Sequence, residues 1–186
     1  LVNNAIQGGI LVIALLALFL QPAVALWVFI GIPVSFLGAL MIMSLFGYSI
    51  NIMSLFGFII VLGIVVDDAI VTGENVYSRM REGGDPLVAS ILGTKQVAIP
   101  VTFGILTTVA AFAPIAFIEG RMGDFMAPIP VVVIACLIFS LIESKFVLPA
   151  HLKHINVNND EQNQSRLTRL QRRFAIGFEQ AIINYY

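Results

Sequence analysis

The first 66 residues of this chain contain no ionisable Asp, Glu, Lys or Arg, and the first charged residue is Asp67. A water-soluble fold cannot cover its surface from such a stretch, whereas a protein in a bilayer needs no polar cover. Composition agrees: 59% of the 186 residues are hydrophobic and 11% charged, where soluble domains carry about 25% charge. One cysteine, Cys136, excludes a disulfide framework and a cysteine-based zinc site. Leu1 is not an initiator methionine, and no basic region or small-residue cleavage site precedes the first apolar run. No signal peptide is therefore read, and the chain is expected to be a piece of something longer.

Unpaired backbone amides are not tolerated in hydrocarbon, so apolar runs of about 20 residues must be helices. Five are expected, at about 5–20, 23–46, 50–77, 97–117 and 125–148, forming one membrane bundle over 1–150. Gln21-Pro22 separates the first two, Gly47-Tyr48-Ser49 turns between the second and third, and Pro149 closes the fifth. Between the third and fourth, Asp85-Pro86 followed by Leu87 to Gly93 predicts a short separate helix, with Asp as N-cap and Gly as stop. Residues 151–164 read as a polar cytoplasmic linker. In 165–186, Leu167, Leu170, Phe174, Phe178, Ala181, Ile182 and Tyr185 recur every three or four positions among Arg166, Arg169, Arg172 and Arg173. That pattern predicts an amphipathic helix lying in the headgroup plane. The fold class is thus all-α, a polytopic helix bundle with a surface helix.

Basic residues cluster after the third span (Arg79, Arg81, Lys95) and after the fifth (Lys153 and the four arginines). The positive-inside rule makes these segments cytoplasmic and the N-terminus periplasmic.

Asp67 and Asp68 lie inside the third apolar run, which continues through Ala69-Ile70-Val71. An ionised Asp at a helix centre costs about 2.5–3.5 kcal/mol on insertion scales. Two carboxylates about 6 Å apart repel by roughly 2.8 kcal/mol at an effective dielectric of about 20. Such a pair retains a proton until a cation approaches and releases it then, which is the behaviour of a proton carrier. No Lys or Arg lies in the first four runs, and Lys145, beside Glu143 in the fifth, is expected to snorkel to the interface. The counter-charge is therefore expected from helices outside this chain.

Other readings stand beside this one. Ile50 to Val66 is 17 residues, long enough to span, so the pair could mark a solvated helix end. An intramembrane aspartyl protease needs two convergent carboxylates, yet helix neighbours point about 100° apart. A metal site of Asp67, Asp68 and Glu74 lacks histidine. Glu74 and Asn75, seven residues on, could line an aqueous exit or form an ordinary polar helix end. Thr102, Thr107 and Thr108 are expected to bond their own backbone, and Gly31, Ser35, Gly38, Gly57 and Gly63 to allow close helix packing. His151 and His154 share helical spacing in the polar tail without implying a metal. No P-loop or nucleophile elbow is present. A scaffold whose Asp pair only fixes helix packing is the alternative function. An ion channel would need a continuous polar stripe, which is lacking.

The string Gly63-Ile64-Val65-Val66-Asp67-Asp68-Ala69-Ile70-Val71 with Glu74-Asn75-Val76 is similar to the fourth transmembrane helix of resistance-nodulation-division exporters, in their hydrophobe and amphiphile branch. Phe19-Leu20-Gln21, Gly47-Tyr48-Ser49-Ile50-Asn51, Pro114-Ile115-Ala116-Phe117 and Leu148-Pro149-Ala150 agree in order. The resemblance implies transmembrane helices two to six of the first of two halves, with Asp67 and Asp68 as proton-translocating residues and a lysine partner in the second half. It further implies a proton-driven efflux pump of the bacterial inner membrane, not an enzyme. The full-length protein would be a homotrimer working with a periplasmic adaptor and an outer-membrane channel. No cofactor, metal or nucleic-acid partner is implied. Glu143 and Lys145 depart from the drug pumps of this branch and leave the substrate class open.

Overall fold

The computed structural model describes residues 22–83 and 85–153, together with Gln7 and Ile10. The first expected span at 5–20 and the amphipathic helix at 165–186 lie outside the described residues, as does most of the 151–164 linker. Among the described residues the chain is helical throughout, without strands, and four helical stretches are long and apolar enough to cross a membrane.

Helix α1, Pro22–Leu45, is the second expected span and carries Pro33 in its interior. It ends where Gly47 adopts φ 73°. That left-handed residue lets Tyr48 N–H reach Met43 O at 2.9 Å and Gly47 N–H reach Ser44 O at 3.3 Å, which satisfies two terminal carbonyls. Helix α2, Ile52–Arg81, starts with a reciprocal cap. Ser54 N–H donates to Asn51 Oδ1 at 2.9 Å, and Asn51 N–H donates to Ser54 Oγ at 2.8 Å. At 30 residues the helix is about 45 Å long, well beyond the roughly 30 Å of hydrocarbon.

Gly83, at φ 90°, turns the chain into helix α3, Pro86–Phe112. Asp85 caps it as expected, accepting from Leu87 N–H at 3.0 Å, with Pro86 as first helical residue. Gly93 does not stop it: the expected short helix and the fourth span are one continuous element. A β-carbon on Gly93 would lie 2.7 Å from Val76 Cα, so this glycine serves close approach of α3 to α2 rather than termination. After a 3₁₀ turn at Ala113–Phe117, the fifth expected span is built in pieces: α4 (Gly120–Met126), α5 (Pro128–Ile142), a π turn (Glu143–Val147) and α6 (Leu148–Leu152). Pro149 does not close the helix. It has no N–H to give a carbonyl four residues back and its ring crowds that carbonyl. The wider π turn just before it lets the helix pass this defect.

One apolar core joins α1, α2, α3 and α5 through Met43, Val61, Val65, Ile105, Val133 and Leu137. A second, at the end bearing Arg79 and Arg81, joins α1, α2 and α6 through Val24, Val28, Val76 and Leu148. There His151, on α6, stacks on Trp27 of α1 with centroids 3.9 Å apart and rings inclined by 11°. The outer faces remain apolar, as in Leu26, Ile30, Leu37 and Met41 of α1 and Ile99 and Phe103 of α3. A surface of that kind suits lipid or further helices.

Candidate functional site: a charged layer across the bundle

Asp67 lies about 23 Å and Asp68 about 24 Å along α2 from its start at Ile52. Both distances are shorter than the roughly 30 Å of a hydrocarbon layer counted from Ile52. The two side chains meet different surroundings. Asp67 is exposed in this bundle, on a stripe with Phe56, Ile59, Gly63 and Val71 that no described helix covers. Among the described residues nothing lies within 4 Å of the β-position of Gly63, one turn before it, so this glycine packs against none of the described helices, unlike Gly31, Gly38 and Gly57. Asp68 lies with the buried series Val61, Val65 and Thr72, three or four residues apart. Its Oδ2 is buried and has no hydrogen-bond partner.

Four close approaches fix the register of the neighbouring helices against this pair. The β-position of Gly57 on α2 touches Ile129 and Val132, and that of Gly73 touches Leu148. These contacts place α5 and the π turn parallel to α2, with Glu143 about level with Asp68. Gly73 also meets Val24 of α1, and Gly31, two turns later in α1, meets the Glu143 carboxyl. Gly93 of α3 meets Val76. Counting back along the antiparallel pair sets Thr102 about level with Asp67. Thr102, Asp67, Asp68 and Glu143 thus occupy one layer of the bundle, about one helical turn thick.

Lys145 belongs to the same layer. Its Nζ donates to Thr102 Oγ1, a contact between the π turn and α3. The expected snorkelling to the interface therefore does not occur: at this depth the threonine hydroxyl is an acceptor within reach and the helix end is two turns away. Thr102, Thr107 and Thr108 also donate to the carbonyls four residues before them, the local bonding expected of membrane threonines. The charges of Glu143 and Lys145 stand out within an apolar run, but sequence cannot place them level with Asp67 and Asp68. Three-dimensional register alone does so.

Asn75 is spent on helix packing. Its Nδ2 donates to Gly93 O at 2.6 Å and to Gln96 Oε1 at 3.4 Å. Gln96 Oε1 also accepts from Arg79, at 3.2 and 3.0 Å, and Arg79 pairs with Glu82 at 3.0 Å. Asn75 thus ties α2 to α3 at the basic end of the pair, while Glu74 is half-buried beside it. Among the described residues no group of His, Cys, Asp and Glu is arranged to hold a metal.

Comparison with known proteins gives the family of the chain. The family model described as AcrB/AcrD/AcrF matches residues 1–186. The swarming motility protein SwrC of Bacillus subtilis is 33% identical over 153 residues, 80% of this chain and 14% of its own length. The multidrug resistance protein MdtC of Escherichia coli is 35% identical over 140 residues, 75% of this chain and 14% of its own. MdtC of Pectobacterium carotovorum is 36% identical over 140 residues, with the same two shares. The chain spans about one seventh of the length of these curated relatives. It belongs to the AcrB/AcrD/AcrF family, within the resistance-nodulation-division superfamily.

Proposed function

We propose that this chain is the first-half membrane segment of a proton-driven exporter of the multidrug efflux type, with Asp67 and Asp68 as its proton carriers. The observation that supports the reading is a pair of adjacent carboxylates on a helix long and apolar enough to cross a membrane. One points to a face that no described helix covers, and the other has a buried oxygen without a hydrogen-bond partner among the described residues. Among the described residues the layer holds three carboxylates and one ammonium, that of Lys145. A further cation from a second transmembrane half, docked on the stripe around Gly63 and Asp67, balances it. Protonation of the pair weakens the attraction to that cation, and the helices shift. Glu74 lies toward the basic end and offers a route between the pair and water. In this reading the basic end faces the cytoplasm, the N-terminus faces the periplasm and the membrane is the bacterial inner membrane. The intact protein acts as a homotrimer with a periplasmic adaptor and an outer-membrane channel. Export by proton exchange, with no bond of the substrate broken, makes it a transporter and not an enzyme.

In the full-length transporter, Asp67→Asn and Asp68→Asn each abolish proton-coupled export from proteoliposomes with an imposed pH gradient, while the amount inserted in the membrane stays at the wild-type level. Asn keeps the hydrogen-bonding capacity of Asp and loses only the titration. Undiminished export by both variants would identify the pair as a packing device and the segment as a scaffold.

A further inference from the structure

Most hydroxyls in the described spans are spent locally. Ser90, Thr94, Thr102, Thr107 and Thr108 all donate to the carbonyl four residues earlier. Ser35 and Ser140 do not. Both are 0% exposed, and the Oγ of each has no hydrogen-bond partner. The two belong to one seam. On α1, Ser35 lies between Gly31 and Gly38, whose absent β-carbons leave room for the Glu143 carboxyl and the Phe139 ring respectively. On α5, Ser140 lies between Phe139 and Glu143. A β-carbon on Gly31 would stand 2.5 Å from Glu143 Cδ, so the carboxyl is pressed onto the α1 backbone one turn from Ser35.

Glu143 is 5% exposed, and no ion pair joins it to a cation among the described residues. Lys145, two residues on, is turned to Thr102 on a different helix. A buried carboxylate without a counter-charge is strongly disfavoured in its ionised form in a membrane. Hard metal cations such as Ca²⁺ or Mg²⁺ take six or more oxygen ligands, and Glu143, Ser35 and Ser140 offer four side-chain oxygens. A proton asks for much less. A carboxylic acid donates once and accepts at its other oxygen, and a hydroxyl supplies both complements. Glu143 also opens the π turn, an irregular stretch of a kind frequent at functional sites.

We propose that Glu143 is a second exchangeable-proton site of the bundle, in the seam between α1 and α5 that also holds the unbonded hydroxyls of Ser35 and Ser140, and distinct from the Asp67–Asp68 pair. A proton delivered by water binds one carboxylate oxygen and leaves by the same oxygen, and the serine hydroxyls, unbonded in this structure, are the neighbouring groups that can turn to donate to the carboxylate or accept from the acid. The site stands whether or not the Asp pair drives export. The titratable or charged groups on the elements packed against it are Lys145 in the π turn, Asp67, Asp68, Glu74, Tyr77, Arg79 and Arg81 on α2, Cys136 on α5 and His151 on α6. Helix α1 carries none.

The test is infrared difference spectroscopy of the full-length transporter in liposomes, following the protonated-carboxyl C=O band during a pH titration. A component that shifts on ¹³C labelling of glutamate is expected to disappear in Glu143→Gln and to persist in the Asp67→Asn/Asp68→Asn double variant. Ser35→Ala/Ser140→Ala is expected to move its midpoint by about one pH unit. Adding Na⁺ at constant pH is expected to leave it unchanged. The proposal is overturned if no glutamate component titrates in the wild-type protein, if Glu143→Gln retains it, if the serine variant leaves the midpoint in place, or if Na⁺ removes the band and so marks a metal-cation site. The labelled wild-type titration decides the matter even where a variant does not insert.

Discussion

Lys145 and Thr102 show how one side-chain contact reorganises the reading of a membrane span. The ammonium reaches across to α3 instead of toward the headgroups, so an element otherwise at the rim becomes part of the charged layer. Thr102→Val removes the acceptor and leaves a cation inside the bundle without it. A loss of about 1–3 kcal/mol is expected, read as a lower unfolding temperature in detergent, with Thr102→Ser restoring most of it. Equal melting of the valine and serine variants would show that Lys145 finds water there. Asp67 and Asp68 illustrate a second residue-scale point. Successive positions on a helix turn by about 100°, so adjacency in sequence produced one carboxylate facing inward and one facing outward. That geometry does not bring the two carboxylates together on one water, and it suits two partners on different sides.

The elements owe their ends to local chemistry and their contacts to missing side chains. The cap between Asn51 and Ser54 satisfies the first amides of α2, and Asn51→Ala is expected to cost about 1 kcal/mol. Gly93 acts differently, because α2 and α3 approach there to within the space of a methyl group. Gly93→Ala forces Val76 backbone away and is expected to destabilise the pair by about 1–3 kcal/mol. A thermal-melting series on the full-length protein separates the two, and a silent Gly93→Ala would show that α3 can slide. The turn at Gly47, the Asp85-Pro86 cap and the long apolar runs were legible in sequence because each depends on neighbours a few residues away. The continuation of helix through Gly93 and past Pro149 was not. Glycine and proline have opposite uses as helix ends and as packing or bulge positions, and only the partner helix decides between them.

At the scale of the molecule, the described helices form a bundle that leaves one face of α2 uncovered. The stripe Phe56, Ile59, Gly63, Asp67 and Val71 is apolar but for its carboxylate, and Gly63 has empty space before it. A second half packed on this face needs that space, so Gly63→Leu in the full-length transporter is expected to abolish export without loss of inserted protein. Wild-type export would mean that the stripe faces lipid. What the sequence determined by itself was the solvent and the class. A chain without charge for 66 residues must be helical in a bilayer, and two acids in the third run must be provided for there. What only the tertiary structure decided was which groups share a depth. Helical period says on which side of its own axis a residue lies, but not how far one helix is shifted along another. The contacts at Gly31, Gly57, Gly73 and Gly93 set those shifts, and through them Glu143, Lys145 and Thr102 came level with Asp67 and Asp68.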